Sequence, residues 1–294
     1  METFSNTFKD LIHEIDRSGM ESQPRDLKVK ESLLTTVPID PSLPFANFRN
    51  RKFNFGYFAG ELAWYLNKDN DVDYISDYSG FWKHITNPGT NEINSNYGSL
   101  LFGEQLNWVV KSLKADKNTR QAIAFLNQPK FQFEGNKDFV CTMYLNFFIR
   151  NDKLHMKVQM RSNDIFYGLT FDAPFFAFVH QHVLLWVKDT YPELELGTYY
   201  HSSDNSHYYE RHFELAAKIK KEDLETNEEY EMNITEPMFT VNEKGMELTE
   251  QGSTFIKMLD GFDPKDEDSL FYLRLLSPFL GIKRYVTPEE APIQ

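Results

Sequence analysis

The chain has a single cysteine, Cys141, at the head of a dense polar stretch. Two apolar runs follow it, Thr142–Arg150 and Leu154–Met160. Then come Arg161-Ser162-Asn163-Asp164 and, soon after, Asp172. A thiolate is a soft nucleophile that can add to an electron-poor carbon such as C6 of a pyrimidine. Without further context a lone cysteine reads first as a small buried hydrophobe. Arg161 and Ser162 set a fixed cation beside a hydroxyl, which suits a phosphate monoester; a surface ion pair is the other use of such an arginine. Asp164 can serve a ligand or cap a turn. Glu61 lies inside the apolar run Phe53–Leu66. A carboxylate there takes a raised pKa, suited to shuttling protons, or needs a structural partner.

Positioning these groups requires strands and helices. Thr142–Arg150 and Leu154–Met160 read as a hairpin turning at Asn151-Asp152. Phe4–Arg17 has helical spacing, Leu27–Val37 is strand-like, and Pro38, Pro41 and Pro44 break regular structure. Phe53–Leu66 reads as a buried helix, Asp69–Asp77 as an exposed acidic segment, and Gly80–Tyr97 as a polar loop holding Trp82. A helix over Gly98–Ala115 and a strand over Gln121–Leu126, with Arg120 at its entrance, precede the cysteine. After it come a helix over Ala173–Asp189, a strand over Leu194–His201, and a helix over His207–Ile219 that opens on aromatic residues. Glu222–Glu231 reads as a solvated face or linker. Two apolar segments, Phe255–Leu259 and Leu270–Leu280, precede a Pro/Glu-rich tail. Buried strands mixed with long helices indicate an α+β fold.

The totals narrow the function. Of 294 residues, 41% are hydrophobic and 26 are phenylalanine, enough for a sizeable core. A net charge of −13 argues against a general nucleic-acid surface but leaves room for one basic pocket. One cysteine excludes an internal disulfide and a multi-cysteine metal site, and the histidines show no ligand spacing. No apolar run reaches the roughly 18 residues of a membrane span. The N-terminal stretch is amphipathic, unlike a signal peptide, so a soluble cytoplasmic protein is expected.

Four ordered motifs carry a resemblance: Asn91 to Gly98, Asp138 to Thr142, Met160 to Asp164, and His207-Tyr208-Tyr209. Together they resemble the thymidylate synthase superfamily, most nearly its phage deoxycytidylate hydroxymethylases, over roughly Arg25 to His212. The resemblance implies a layered β-sheet with packed helices that dimerises through the back of the sheet. The expected division is a thymidylate synthase-like catalytic domain over 1–221 and a mainly helical C-terminal extension over 222–294 without an assigned role. Cys141 would be the nucleophile and Tyr97 its neighbour; Val140 and Thr142 flank it where the family more often has proline and histidine. Arg161, Ser162 and Arg25 would hold the nucleotide phosphate. Arg120 would reach the phosphate of a partner subunit, although Gln121 stands where the family has a second arginine. Asp164 and Trp82 would serve the folate, and His207 and Tyr209 the sugar hydroxyl. Glu61, in Glu61-Leu62-Ala63-Trp64, would order water around the base. The one-carbon donor would be 5,10-methylenetetrahydrofolate.

Asp172 carries the choice of base. Asp172-Ala173-Pro174 has the form of a helix N-cap with proline in the first turn. Thymidylate synthases have asparagine at the matching place, which suits uracil. A protonated carboxyl accepts from the cytosine amino group and donates to N3, so an aspartate favours cytidylate. The expected activity is C5 hydroxymethylation of a cytidine monophosphate, with dCMP foremost. A dCMP methylase, an atypical thymidylate synthase, and a non-catalytic nucleotide- or RNA-binding homologue are the alternatives. The sequence lacks the short synthase ending whose terminal carboxylate closes over folate, which favours water access.

Overall fold

The computed structural model describes residues 2–285. Its main sheet has seven strands: β1 (Met20–Ser22), β2 (Val29–Ile39), β3 (Ile123–Phe125), β4 (Thr142–Arg150), β5 (Lys153–Met160), β6 (Asn163–Asp164) and β7 (Glu195–Tyr209). The order is β1-β2-β7-β5-β4-β3, with β6 beside β7. The β4–β5 hairpin forms where the sequence places it. Asn151 and Asp152 turn it at φ of 51° and 56°, a conformation these two residue types tolerate better than most. Alternate residues of both strands, among them Leu145, Phe147, Leu154 and Met156, are fully buried.

The helices are α1 (Phe4–Ser18), α2 (Phe55–Asn67), α3 (Val72–Tyr78), α4 (Phe81–Ile85), α5 (Tyr97–Leu101), α6 (Glu104–Ala115), α7 (Thr170–Val187), α8 (Phe213–Ile219), α9 (Glu250–Leu259) and α10 (Ser269–Leu280). Helix α1 packs on β2, α6 on β3 and β4, and α7 on β5 and β7. The mixed sheet with packed helices is the expected α+β architecture.

Several boundaries differ from the sequence expectation, each for a physical reason. The helix expected over Gly98–Ala115 is two helices. The chain breaks at Phe102-Gly103, where Gly103 takes a φ of 131° that only glycine adopts easily. Asp69–Asp77 is not wholly exposed: Asp71 caps α3, which buries Val72 and Ile75. Pro38 does not stop β2, which runs on to Ile39 and pairs Pro38 with Tyr200. His207 and Tyr209 do not begin a helix. They end β7, whose long antiparallel pairing with β2 carries the chain to Tyr209, and the helix starts only at Phe213.

Glu222–Glu231 is not a solvated linker either. The Glu222 carboxylate accepts hydrogen bonds from the backbone N–H groups of Arg49 and Asn50 at 2.9 and 3.0 Å, and Glu229 accepts from Ser5 at 3.0 Å. Beyond it lie β8 (Glu229–Glu231), β9 (Phe239–Asn242), β10 (Gly245–Leu248) and β11 (Lys283–Tyr285), forming two two-stranded sheets, β8–β11 and β9–β10. Helix α7 fastens this segment to the rest. Gln181 donates to the carbonyls of Pro41 and Met232 and accepts from the Ile234 N–H. His182 donates from Nδ1 to the Phe178 carbonyl and accepts the Met238 N–H at Nε2, at 2.9 and 3.0 Å. Burial pushes the His182 pKa down to about 4, which keeps the neutral form this bonding requires. The Pro/Glu-rich tail expected at the C-terminus lies outside the described residues.

Candidate active site

Cys141 sits immediately before β4, and the Cys141 carbonyl accepts the Arg161 N–H at 2.9 Å. Strands β5 and β6 both run parallel to β7, pairing Met160 with Ser203 and Asn163 with Ser206. Arg161 and Ser162 are the interruption between them. Freed from the ladder, the Arg161 side chain folds back over the cysteine segment. Its guanidinium donates to the Phe139 and Val140 carbonyls, lies 4.8 Å from the Phe139 ring centre, and brings Nη2 within 3.4 Å of Cys141 Sγ. Burial raises the thiol pKa; the Arg161 charge opposes that, and Asp172 adds to it. The thiol and Asp172 are therefore close enough to act on each other.

Tyr97 reaches the same place through a set of bonds that explains its motif. Asp138 accepts from the Ser95 N–H at 2.7 Å and from the Ser95 hydroxyl, and Asn94 donates to the Asp138 carbonyl at 2.9 Å. Asn96 caps α5 through the Ser99 N–H and ties it to the Trp64 and Asp69 carbonyls. Gly98 passes so close to the Tyr65 carbonyl that an added Cβ would stand 1.8 Å from its oxygen. Tyr97 then stacks between Tyr65 and Phe176, with centroid separations of 5.5 and 5.7 Å. Its phenol pKa is raised by burial first, and next by the charges of Asp172 and Cys141.

Asp172 is not a helix cap. The chain from Ile165 to Leu169 is a π-helical turn that runs directly into α7, so Asp172 falls inside the first α-turn. The cap belongs to Asp164, whose Oδ1 accepts from the Phe166 and Tyr167 N–H groups. Asp172 is freed for another use, and its Oδ2 accepts from Asn163 Nδ2 at 2.7 Å. Gly168 lets the π-turn close on this pair: a Cβ there would lie 2.8 Å from Asn163 Nδ2 and 3.2 Å from Asp172 Oδ2. Burial raises Asp172 to about 6, against the lowering effect of Asn163.

Glu61 is buried on α2, and its Oε1 accepts from the Tyr57 hydroxyl at 2.8 Å. Burial lifts it to about 8; the Tyr57 bond lowers it and the Asp172 charge raises it. Trp82 Nε1 donates to the Tyr57 oxygen at 3.1 Å, and the Trp82 ring packs on Trp64 at 5.0 Å.

At the far side, His207 pairs with Asp164 across β6–β7 and donates to Asn205 Oδ1 at 2.9 Å. Tyr209 stands two residues along the same strand face, 5.3 Å from the His207 ring. Arg25 and Asp26 are consecutive non-glycine residues at φ of 52° and 62°, a strained pairing that marks a constrained loop. The Arg25 charge acts on Cys141, His207 and Tyr209. Arg25, Arg120 and Arg161 form no salt bridge among the described residues. Arg120 is exposed at the entrance to the edge strand β3. Ser162 is half-buried beside Arg161.

Cys141, Arg161, Tyr97, Asp172 and Glu61 are thus neighbours, with burial raising the pKa of both carboxyl groups. The thymidylate synthase family model matches residues 6–251. The chain belongs to the thymidylate synthase family. It is 29% identical to the deoxyuridylate hydroxymethyltransferase of Bacillus phage SP01 over 231 residues, 71% of this chain and 59% of that one. It is 28% identical to the deoxycytidylate 5-hydroxymethyltransferase of Enterobacteria phage T4 over 213 residues, 67% of this chain and 85% of that one. The chain therefore spans somewhat over half the length of the first relative and most of the second. The family match runs past residue 221 into α9, through the segment that Gln181 and His182 hold.

Four contributors to this thymidylate synthase-family site escaped the sequence reading. Asn163 is visible in the sequence only as part of a polar string, and Gly168 carries no signal there. Tyr57 stands four residues before Glu61, a spacing that places both on one helix face and was a usable signal. Arg51 had none. Its guanidinium donates to the Phe166 carbonyl and Thr170 hydroxyl, and Nη1 is buried without a partner among the described residues.

Proposed function

We propose that the chain transfers a one-carbon unit to C5 of a cytidine monophosphate, dCMP foremost, giving the 5-hydroxymethyl product. The observation that carries this reading is the Asn163–Asp172 pair. The named relatives divide between deoxyuridylate and deoxycytidylate, so the side chain facing the base decides. Asn163 keeps Asp172 Oδ2 an acceptor, with a second lone pair for the cytosine N4 amino group. A carboxyl raised to about 6 is readily protonated, and its proton on Oδ1 meets cytosine N3. Uracil presents the opposite groups, an acceptor at O4 and a donor at N3.

The chemistry follows from the neighbours. Arg161, Ser162 and Arg25 hold the phosphate monoester, and His207 and Tyr209 meet the sugar. Cys141 passes its thiol proton to solvent, and the thiolate Sγ bonds to C6. The electron pair of the C5–C6 double bond moves through C4 to N3, which takes the Asp172 proton. C5 is left as an enamine-like nucleophile. Methylenetetrahydrofolate, when bound, supplies the one-carbon unit that C5 receives. The orphaned Arg51 Nη1 and the second oxygen of Asp164 offer it a donor and an acceptor beside the π-turn, with Trp82 nearer Glu61. Glu61 holds and moves protons for the water that completes the hydroxymethyl group. The C5 proton is lost to the water that Glu61 holds, N3 returns its proton to Asp172, and departure of Sγ from C6 as thiolate restores the aromatic ring. The exposed Arg120 at the sheet edge suits the phosphate of a second copy, with Gln121 beside it in place of another cation.

Incubation with methylenetetrahydrofolate and dCMP, CMP or dUMP, followed by product mass, tests this reading. The expected product is dCMP heavier by one formaldehyde unit. A methyl gain would make the enzyme a methylase, and modification of dUMP in preference to dCMP would remove the role given to Asp172. No change in any nucleotide would leave a binding protein that kept the fold.

A further inference from the structure

We propose that Tyr57, pinned by Trp82, is a positioning residue that fixes which oxygen of Glu61 carries a proton. The inference rests on the reading that Glu61 handles protons in this recess. Tyr57 and Glu61 are four residues apart on α2 and share one face. The Tyr57 hydroxyl has one hydrogen and two bonds to satisfy: Glu61 Oε1 at 2.8 Å and Trp82 Nε1 at 3.1 Å. An indole nitrogen only donates. The Trp82 N–H therefore takes a lone pair of the phenol oxygen, and the phenol hydrogen has to point at Glu61 Oε1.

That assignment makes Oε1 an acceptor in both protonation states of Glu61. The exchangeable proton resides on Oε2, the oxygen not held by Tyr57. Without Trp82 the phenol could rotate, and without Tyr57 the carboxyl could carry its proton on either oxygen. The neutral, buried Glu61 then presents one defined O–H. Once ionised, it leaves Oε2 as the oxygen not engaged by Tyr57, free to accept from a water. The Tyr57 bond favours the ionised carboxylate, opposing burial, so it also sets where Glu61 titrates. Tyr65, four residues further on, acts on Glu61 in the same direction as a lesser cause.

A difference infrared titration of the carboxyl stretch, wild type minus Glu61→Gln, isolates the Glu61 signal without substrate or activity. In Tyr57→Phe the midpoint is expected to rise by roughly one pH unit, the effect of losing one hydrogen bond to a charged group. Trp82→Phe is expected to raise it by less. Tyr57→Phe with Trp82→Phe is expected to match Tyr57→Phe alone, because both act through one hydrogen bond. The limb of the kcat–pH profile that reports Glu61 is expected to move with the midpoint, which a merely structural role for Tyr57 would not cause. An unmoved midpoint in a folded Tyr57→Phe protein overturns the proposal, even if Glu61→Gln abolishes turnover. A moved midpoint with normal turnover in Glu61→Gln upholds the proton assignment and removes the catalytic reading instead.

Discussion

In Cys141→Ser, turnover is expected to fall by at least about 10⁴-fold while nucleotide affinity changes by less than about threefold. A serine hydroxyl is a far weaker nucleophile toward an aromatic carbon and has no base beside it of the kind that activates catalytic serines. Binding is expected to survive because Arg161, the cation proposed for the phosphate, does not depend on the sulfur. Arg161 is held mainly by the Phe139 and Val140 carbonyls and the Phe139 ring, and the contact from Nη2 to Sγ is the longest of its bonds here. Parallel measurement of kcat and of dCMP affinity by calorimetry checks both halves. Near-normal turnover removes Cys141 as nucleophile. Lost binding with lost turnover shows that the sulfur is instead a packing element under the arginine.

Asp172→Asn is expected to reverse the base preference, moving the dCMP to dUMP ratio of kcat/KM by roughly 10²–10⁴-fold. Two hydrogen-bonding groups change sense at once, and each mispaired polar group in such a site costs about 1–3 kcal/mol. Asn163 has to turn its own amide for this outcome. Its Nδ2 now donates to Oδ2 of Asp172, the oxygen proposed to meet the C4 substituent of the base. With asparagine at 172 the amide nitrogen takes that place and donates to O4 of uracil and to Asn163 Oδ1, which has no partner among the described residues, while the carbonyl oxygen accepts from uracil N3–H. In the proposed mechanism the variant also lacks the proton that Asp172 would pass to N3, so its dCMP turnover is expected to fall even at saturation. Competition between the two nucleotides, read by product mass, checks the ratio. Unchanged preference would show that 172 does not face the base. The fold itself is expected to tolerate the change, because Asp164, and not Asp172, caps the π-turn.

The elements legible in the sequence were those built by one dominant periodicity. The β4–β5 hairpin alternates from Leu145 onward and turns at Asn151-Asp152, α1 carries a clear apolar face, and α2 is a continuous apolar run buried nearly all round. What the sequence did not show came from long-range contact. The π-turn at Ile165–Leu169 has no local signature, and it converts Asp172 from an apparent N-cap into a site residue. His207 and Tyr209 lie on β7 because Glu31 and Val29 of β2 pair with them, a partnership invisible to local propensity. The same holds for Glu222 and Glu229, acidic residues that look solvated until the backbone of Arg49 and Asn50 and the hydroxyl of Ser5 are brought to them. The candidate site was more legible than its supports. Cys141, Arg161, Asp172 and Glu61 belong to spaced motifs, and the Coulombic influence of Asp172 on Cys141, Tyr97 and Glu61 shows the structure gathering them. Asn163, Tyr57 and Arg51 hold those groups or border them, and side chains in such supporting roles are set by geometry rather than by type.

The most direct test uses 5-fluoro-dCMP with methylenetetrahydrofolate and reads the intact protein mass. Fluorine at C5 cannot leave as a proton does, so a chain that adds sulfur at C6 and carbon at C5 stalls as a covalent complex. The protein is expected to gain the mass of nucleotide plus folate, mapped by peptide analysis to Cys141, with 5-fluoro-dUMP reacting far more slowly. No adduct, an adduct on another residue, or faster trapping by the uracil analogue would contradict the account.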